Sequence, residues 1–247
     1  MVKSVVRSVI RSTVRAAIDS ATSVPLDFND VTLLLHMNGV DESTTFTDDS
    51  NSAHTVTAVG NAQIDTADKK YGTGAGLFDG TGDYLTVPYV ADDFDWFVED
   101  FTVECWVKAA SWADWSNNGT PCLIGRMNPT SQSVFWSFGP NVVEKLVFHY
   151  WVGSSKFVTS TASISTGQWV HLAMSHKLGT GIKIFIDGVL DGSAAIDGTP
   201  LSATETLSIG GNNTSVITGS VDDLRITRGT AIYTANFTPP TAEFPDS

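Results

Sequence analysis

From Val31 onward the chain alternates apolar and polar residues in short runs punctuated by Gly, Asp, Asn and Ser, and this pattern leaves few folds open. A period of two is the mark of a half-buried strand, because successive side chains point to opposite faces of a sheet. In the clearest run, Ile182, Ile184 and Ile186 alternate with Lys183 and Phe185 and stop at Asp187-Gly188. That pair suits a two-residue hairpin turn, with Val189 and Leu190 beginning the return strand. Similar runs cover residues 31–35, 101–108, 122–126, 134–138, 145–152, 169–176, 206–209 and 221–227. About a dozen strands over roughly 210 residues exceed a seven-strand immunoglobulin sandwich and predict an all-β, antiparallel two-sheet jelly-roll sandwich. The absence of an internal repeat argues against propellers and solenoids.

The first twenty residues follow another rule. Lys3, Arg7, Arg11 and Arg15 recur every four residues against a single acid, Asp19, so this stretch carries +3 and the remainder −16 of a total of −13. Val2, Val5, Val6, Val9, Ile10, Val14, Ala17 and Ile18 keep the three-and-four spacing of an apolar helical stripe. The spacing predicts a short amphipathic helix and its linker over 1–24, preceding a jelly roll with an extended C-terminal tail over 25–247. A helix of roughly 27 Å built largely of valine is marginal alone and needs a partner. Charges interrupt the apolar residues throughout, unlike a secretory leader. A transit peptide, a membrane-surface helix, packing on its own domain and an assembly anchor are the alternatives. The anchor is favoured, with Lys3, Val6, Arg7, Ile10, Arg11, Val14 and Arg15 as its contact residues.

The acidic balance, 27 Asp and Glu against 14 Lys and Arg, excludes the basic footprint that nucleic acid requires. No apolar run is long enough for a transmembrane helix. Cys105 and Cys122 match no zinc or paired-thiol spacing; whether they are bridged is open, and free thiols are preferred.

Several stretches resemble the laminin-G-like jelly roll of the concanavalin A-like lectin and glucanase superfamily. Residues 167–173 (GQWVHLA) followed by 182–189 (IKIFIDGV) are similar to its paired central strands. Residues 207–211 (LSIGG) and 219–226 (GSVDDLRI) are similar to its closing strands, and 77–80, 83–85 and 101–107 to earlier ones. The tail over 225–240 resembles the versions found in bacteriophage virion proteins. The resemblance implies a sandwich over roughly residues 31–240 and a protein of the phage particle.

The glucanases of this superfamily carry alternating carboxylates on one strand. No such strand is present, and Asp93, Asp95, Glu99 and Asp100 read as a loop anchored by Phe94, Trp96 and Phe97. The chain is therefore expected not to be an enzyme. His171 and His176 lie five apart on one strand and should face opposite ways. Asp222 is expected, by parity, on the apolar side with Leu224 and Ile226. With Asp48 and Asp49 of the oxygen-rich loop 47–51 it forms a candidate structural calcium site. The alternative is a capping role for Asp222 and a solvated loop. Trp112, Asp114, Trp115, Asn117 and Asn118 are the candidate carbohydrate site, since rings beside polar groups suit a sugar face; loop-pinning aromatics are the alternative.

Together these expectations describe a phage virion structural protein: a head decoration, a fibre or a tail-associated protein on the outer surface of the particle. It would be held in many copies by its helix to other virion proteins and would present a lectin-like domain to host-surface glycans. A cellular carbohydrate-binding adhesin, extracellular or on a cell surface, and more distantly a glycoside hydrolase, are the rivals.

Overall fold

The computed structural model describes residues 26–247, apart from 91–92, 95–96, 98, 113–115, 118–119, 122, 128–133, 197, 199–203 and 213–214. The expected anchor helix, with Lys3, Val6, Arg7, Ile10, Arg11, Val14 and Arg15, lies outside the described residues.

Two antiparallel sheets form the body, as the alternation predicts. In order across the larger sheet lie β15 (Val189–Ala194), β14 (Gly181–Ile186), β13 (Val170–Lys177), β6 (Phe101–Ala109), β19 (Thr218–Arg228), β4 (Ala75–Asp79) and β3 (Gln63–Asp65). The eighth strand, β1 (Val31–Leu35), pairs with the far end of β19. Across the smaller sheet lie β12 (Ser155–Ser163), β11 (Lys145–Trp151), β10 (Val134–Pro140), β9 (Ile124–Met127), β16 (Leu207–Ile209), β5 (Tyr84–Val87) and β2 (Thr57–Val59). Two small hairpins complete the set: β7 (Ser116–Asn117) with β8 (Thr120–Pro121), and β17 (Gly211–Asn212) with β18 (Ser215–Val216). The Asp187-Gly188 turn joins β14 to β15 with both residues at positive φ, 47° and 77°, the left-handed geometry a two-residue hairpin demands.

Alternation decides what each strand buries. Phe101, Val103, Cys105, Val107 and Ala109 of β6 face the core, where they meet Trp136, Phe138, Phe148 and Tyr150 from the smaller sheet. Each such side chain contributes about 1.5–3 kcal/mol on burial. Cys105 is free and lies in this core, where burial pushes its thiol pKa up and leaves it inert. Trp112 also belongs to the core: it is 1% exposed, and its indole N–H donates to the carbonyl of Ile164 at 3.0 Å.

The outer face of the larger sheet is buried as well, because the C-terminal tail crosses it. Tyr233 and Phe237 stack on each other at 3.5 Å between centroids and meet Phe185 and His171 edge-on. Phe244 lies over the Arg225 guanidinium and packs with Val31 and Leu34. Beneath the tail Glu104 accepts from Arg225 Nη2 at 2.6 Å and Nε at 3.1 Å, and from the Tyr233 hydroxyl at 2.6 Å. His171 Nε2 stands 3.2 Å from the same carboxylate. Burial alone would raise the Glu104 pKa, but the Arg225 charge and the His171 contact hold it at about 2.

Simple alternation fails in β19. Asp222 lies opposite Trp106 and Arg225 opposite Glu104, so three steps on β19 match two on β6. Asp223, at φ +47°, is part of this bulge. Asp222 therefore does not share the face of Leu224 and Ile226, as expected from simple alternation, but faces outward beside Trp106.

Candidate functional site

Of the expected carbohydrate residues, Trp112 is corrected outright: its ring fills the core and is closed to a sugar. Asp114, Trp115 and Asn118 lie outside the described residues, and Asn117 stands in β7, opposite Thr120 of β8. That hairpin lies against β10 and β11.

The expected calcium set is not assembled. Asp48 uses both oxygens locally: Oδ1 accepts from the backbone N–H groups of Leu34 and Ser50, each at 3.0 Å, and Oδ2 from that of His54 at 2.7 Å. It fixes the loop that follows β1. Asp49 sits near the charges of His36, Asp246 and Glu243, with its pKa raised chiefly by burial. Asp222 Oδ2 accepts from the backbone N–H groups of Lys70 at 2.7 Å and Tyr71 at 3.0 Å, while Oδ1 has no partner. Burial pushes its pKa up to about 7. Among the described residues no group of three His, Cys, Asp or Glu side chains is placed to hold a metal ion.

The acidic loop before β6 serves as a set of ties, not a cleft. Phe94 is buried and Phe97 packs on the core, as expected for a loop anchored by its aromatics. Asp100 accepts from the backbone N–H of Leu178, and Glu99 pairs with Arg228 at 3.1 Å. His171 and His176 take opposite faces: the first meets Glu104 beneath the tail, and the second packs tilted against Phe101 on the core side.

The feature that sequence reasoning missed runs across the outer face of the smaller sheet. Strand registers place Thr57 beside Thr86, Thr86 beside Ser208, Ser208 beside Gly125 and Gly125 beside Ser137. Ser137 in turn lies beside His149, and His149 beside Phe157. The result is one row, perpendicular to the strands, of small or hydroxyl-bearing residues ending in two rings. Six strand spacings make it about 29 Å long. Val59 and Tyr84 flank it on one side of the row, with Val147 and Thr159 further along, and Trp151 and Ser155 lie on the other. None of these positions is charged.

At one end the row is built for stacking. Phe157 lies flat on the His149 imidazole, 4.4 Å between centroids and 14° from parallel, yet 51% of Phe157 is exposed. One face of the ring is supported and much of the rest is open. His149 and Ser137 are buried, and neither ring nitrogen nor the Ser137 hydroxyl has a hydrogen-bond partner. Burial drives the His149 pKa down to about 4, so the ring is neutral through the physiological range. A neutral imidazole offers one donor and one acceptor, and a serine hydroxyl offers both. Unpaired buried polar groups are costly.

A family model described as the concanavalin A-like lectin/glucanases superfamily matches residues 79–231. No curated protein sequence matches the chain. Among solved structures, the binding domain of Paraclostridial Mosquitocidal Protein 1 is similar with a TM-score of 0.63 and 16% identity, over 81% of this chain and 49% of that one. The receptor binding domain of botulinum neurotoxin C/D mosaic serotype gives 0.62 and 16%, over 89% and 50%. The chain thus spans about half the length of these toxin domains. Domain 4 of AbnA, a GH43 extracellular arabinanase from Geobacillus stearothermophilus solved with arabinotriose, gives 0.53 and 21%, over 81% and 93%.

Proposed function

Because the chain belongs to the concanavalin A-like lectin/glucanases superfamily, we propose that it is a glycan-binding display module whose ligand face is the outer side of the seven-stranded sheet. The observation that carries this reading is Phe157, half exposed, backed by His149 and flanked on its own strand by the exposed residues Ser155 and Thr159. An aromatic ring with one open face suits the apolar face of a sugar, and nearby hydroxyls suit its polar edge. The arabinotriose held by the similar arabinanase domain supports a sugar as the ligand class.

The module binds without cleaving. Two-carboxylate hydrolysis needs an acid with a raised pKa beside a second carboxylate, and the row contains neither. Glu104 is buried under the tail, fully hydrogen-bonded and held ionised, so it has no proton to give.

On a wider scale the module belongs to a bacteriophage virion, as a head decoration, fibre or tail-associated protein. Its cationic first twenty residues dock on other virion proteins, and its acidic body faces outward in many copies. The charge partition of +3 against −16 supports this arrangement, since opposite charge guides docking and like charge keeps bodies apart. Many weak sites on one particle suit host-surface glycans, because linked sites gain avidity without a strong single contact.

Glycan arrays on the full chain and on Phe157→Ala test the binding surface: the wild type should retain a defined set of glycans that the variant loses. Equal retention by both removes the surface. Immunogold microscopy of purified particles tests the location, with surface labelling expected and its loss on deletion of residues 1–20.

A further inference from the structure

Resting on the glycan-binding reading of the seven-stranded sheet, we infer that the ligand is the uncharged terminal mono- or disaccharide of a glycan, held at the β11–β12 corner by Phe157 and a second ring, Trp151. Register supplies the second ring. Trp151 lies opposite Ser155 on β12, and His149 lies opposite Phe157. Tyr150, between them, fills the core, so Trp151 shares the outer face with His149, and it is partly exposed. Phe157 and Trp151 are thus diagonal neighbours across the strand pair, about 7–8 Å apart at the backbone, a separation that aromatic side chains can span. The chain turns tightly beside them: Val152 donates its N–H to the Ser154 carbonyl at 3.1 Å, with Gly153 at φ +82°. A Cβ placed on Gly153 meets no atom within 4 Å, so the space at the turn is open. Ser155 and Thr159 are exposed on either side of Phe157, and Ser154 is exposed in the turn. Two rings and three hydroxyls suit a sugar, whose C–H face stacks while its ring hydroxyls meet serine and threonine.

The borders of this open corner set how much of a glycan it takes. Toward the middle of the sheet the floor closes: Val147 is 2% exposed, His149 4% and Ser137 0%. Along β12, the exposed hydroxyls beyond Thr159 are engaged, Thr161 with the Asp191 carboxylate and Ser163 with the Lys145 ammonium at 3.2 Å. On the remaining side β12 is the last strand of its sheet. From Ser155 to Thr159 the strand rises about 14 Å, the scale of a disaccharide. A glycan chain crossing the sheet meets only closed floor past Phe157, whereas an end group needs the corner alone. Residues 151–155, 157 and 159 carry no charge, and Lys156 takes the opposite parity, beside Tyr150. His149, behind Phe157, is neutral above about pH 4, so attraction rests on stacking and hydroxyl contacts.

The test is NMR titration of the full chain with the methyl glycosides of galactose, glucose, mannose, arabinose and N-acetylglucosamine, and with di- and tetrasaccharides ending in each. The Trp151 indole N–H, assigned by its disappearance in Trp151→Phe, should shift with at least one of these termini, while the Trp112 indole in the core stays still. Affinity should be complete with the disaccharide, the tetrasaccharide of the same terminus gaining less than about threefold. Phe157→Ala and Trp151→Ala should each lose about tenfold, the scale of one aromatic contact, and Trp151→Phe, which keeps a ring, should stay within about threefold of wild type. A tetrasaccharide that exceeds its disaccharide by about tenfold, a Trp151 signal unmoved during binding, or full affinity in Trp151→Ala overturns the inference while glycan binding stands. So does a chain that retains arrayed glycans yet binds none of these termini. Failure of every probe together with an empty glycan array removes the glycan-binding reading itself.

Discussion

Trp112 shows how a single side chain can reverse the meaning of its neighbourhood. Its flanking Ser, Ala and Asp suggest an exposed loop, yet the ring is buried and its N–H is used by Ile164. Local composition reports where the backbone runs; it does not report into which space a long side chain reaches. Trp112→Ala should therefore cost about 3–5 kcal/mol in urea unfolding, because it leaves a large cavity. Trp112→Phe should cost less, near the roughly 1 kcal/mol of the lost hydrogen bond plus a smaller void. Neither should alter the pattern of glycans retained on an array. Asp222 departs from its expected face for a different reason. Its strand and burden of burial are readable from the sequence, but the bulge that turns it outward is set by the positive φ of Asp223, a choice made by the assembled sheet.

Elements were far more legible than their pairing. The strands of the central hairpin, its Asp187-Gly188 turn and the opposed faces of His171 and His176 all follow from alternation alone. The row on the smaller sheet does not, because its seven members come from seven strands spread over residues 57–208 and meet only through register. The C-terminal tail is the element whose role is least visible: it has no periodicity, yet it covers Glu104, His171 and Arg225 on the larger sheet. His36 pins its end, with Nδ1 at 2.7 Å from Asp223 and Nε2 at 2.7 Å from Asp246. Burial alone would lower the His36 pKa, but the two carboxylates raise it from 6.5 to about 9. A raised folded-state pKa contributes stability that is full below pH 6.5 and is lost as pH rises through 9. Asp222 slopes the same way lower down, losing stability between pH 3.8 and about 7 as its buried carboxyl ionises. The melting temperature should thus decline from mildly acidic to alkaline pH. His36→Gln should flatten the alkaline part of that decline, and Asp222→Asn the acidic part.

At the scale of the molecule, the sequence discloses a two-sheet sandwich, an acidic body and a basic leader, and the first two are seen in the described residues. What it withholds is order: which strands become neighbours. The most consequential case is β19, which lies between β6 and β4 and also carries β1, so the middle of the larger sheet is formed by the last strand of the chain. Non-local pairing of this kind slows folding, since long loops must close before any contact rewards them. A fragment ending at residue 210 should be insoluble, whereas the same fragment co-expressed with a separate 211–247 segment should be recovered in soluble form.

During synthesis this arrangement imposes a wait. The strands destined to flank β19 leave the ribosome with open edges and hold them until residue 228 has emerged. Sticky intermediates are therefore intrinsic to making this protein, and the speed of its final translation steps, together with chaperone supply, should govern yield more than the stability of the finished sandwich does.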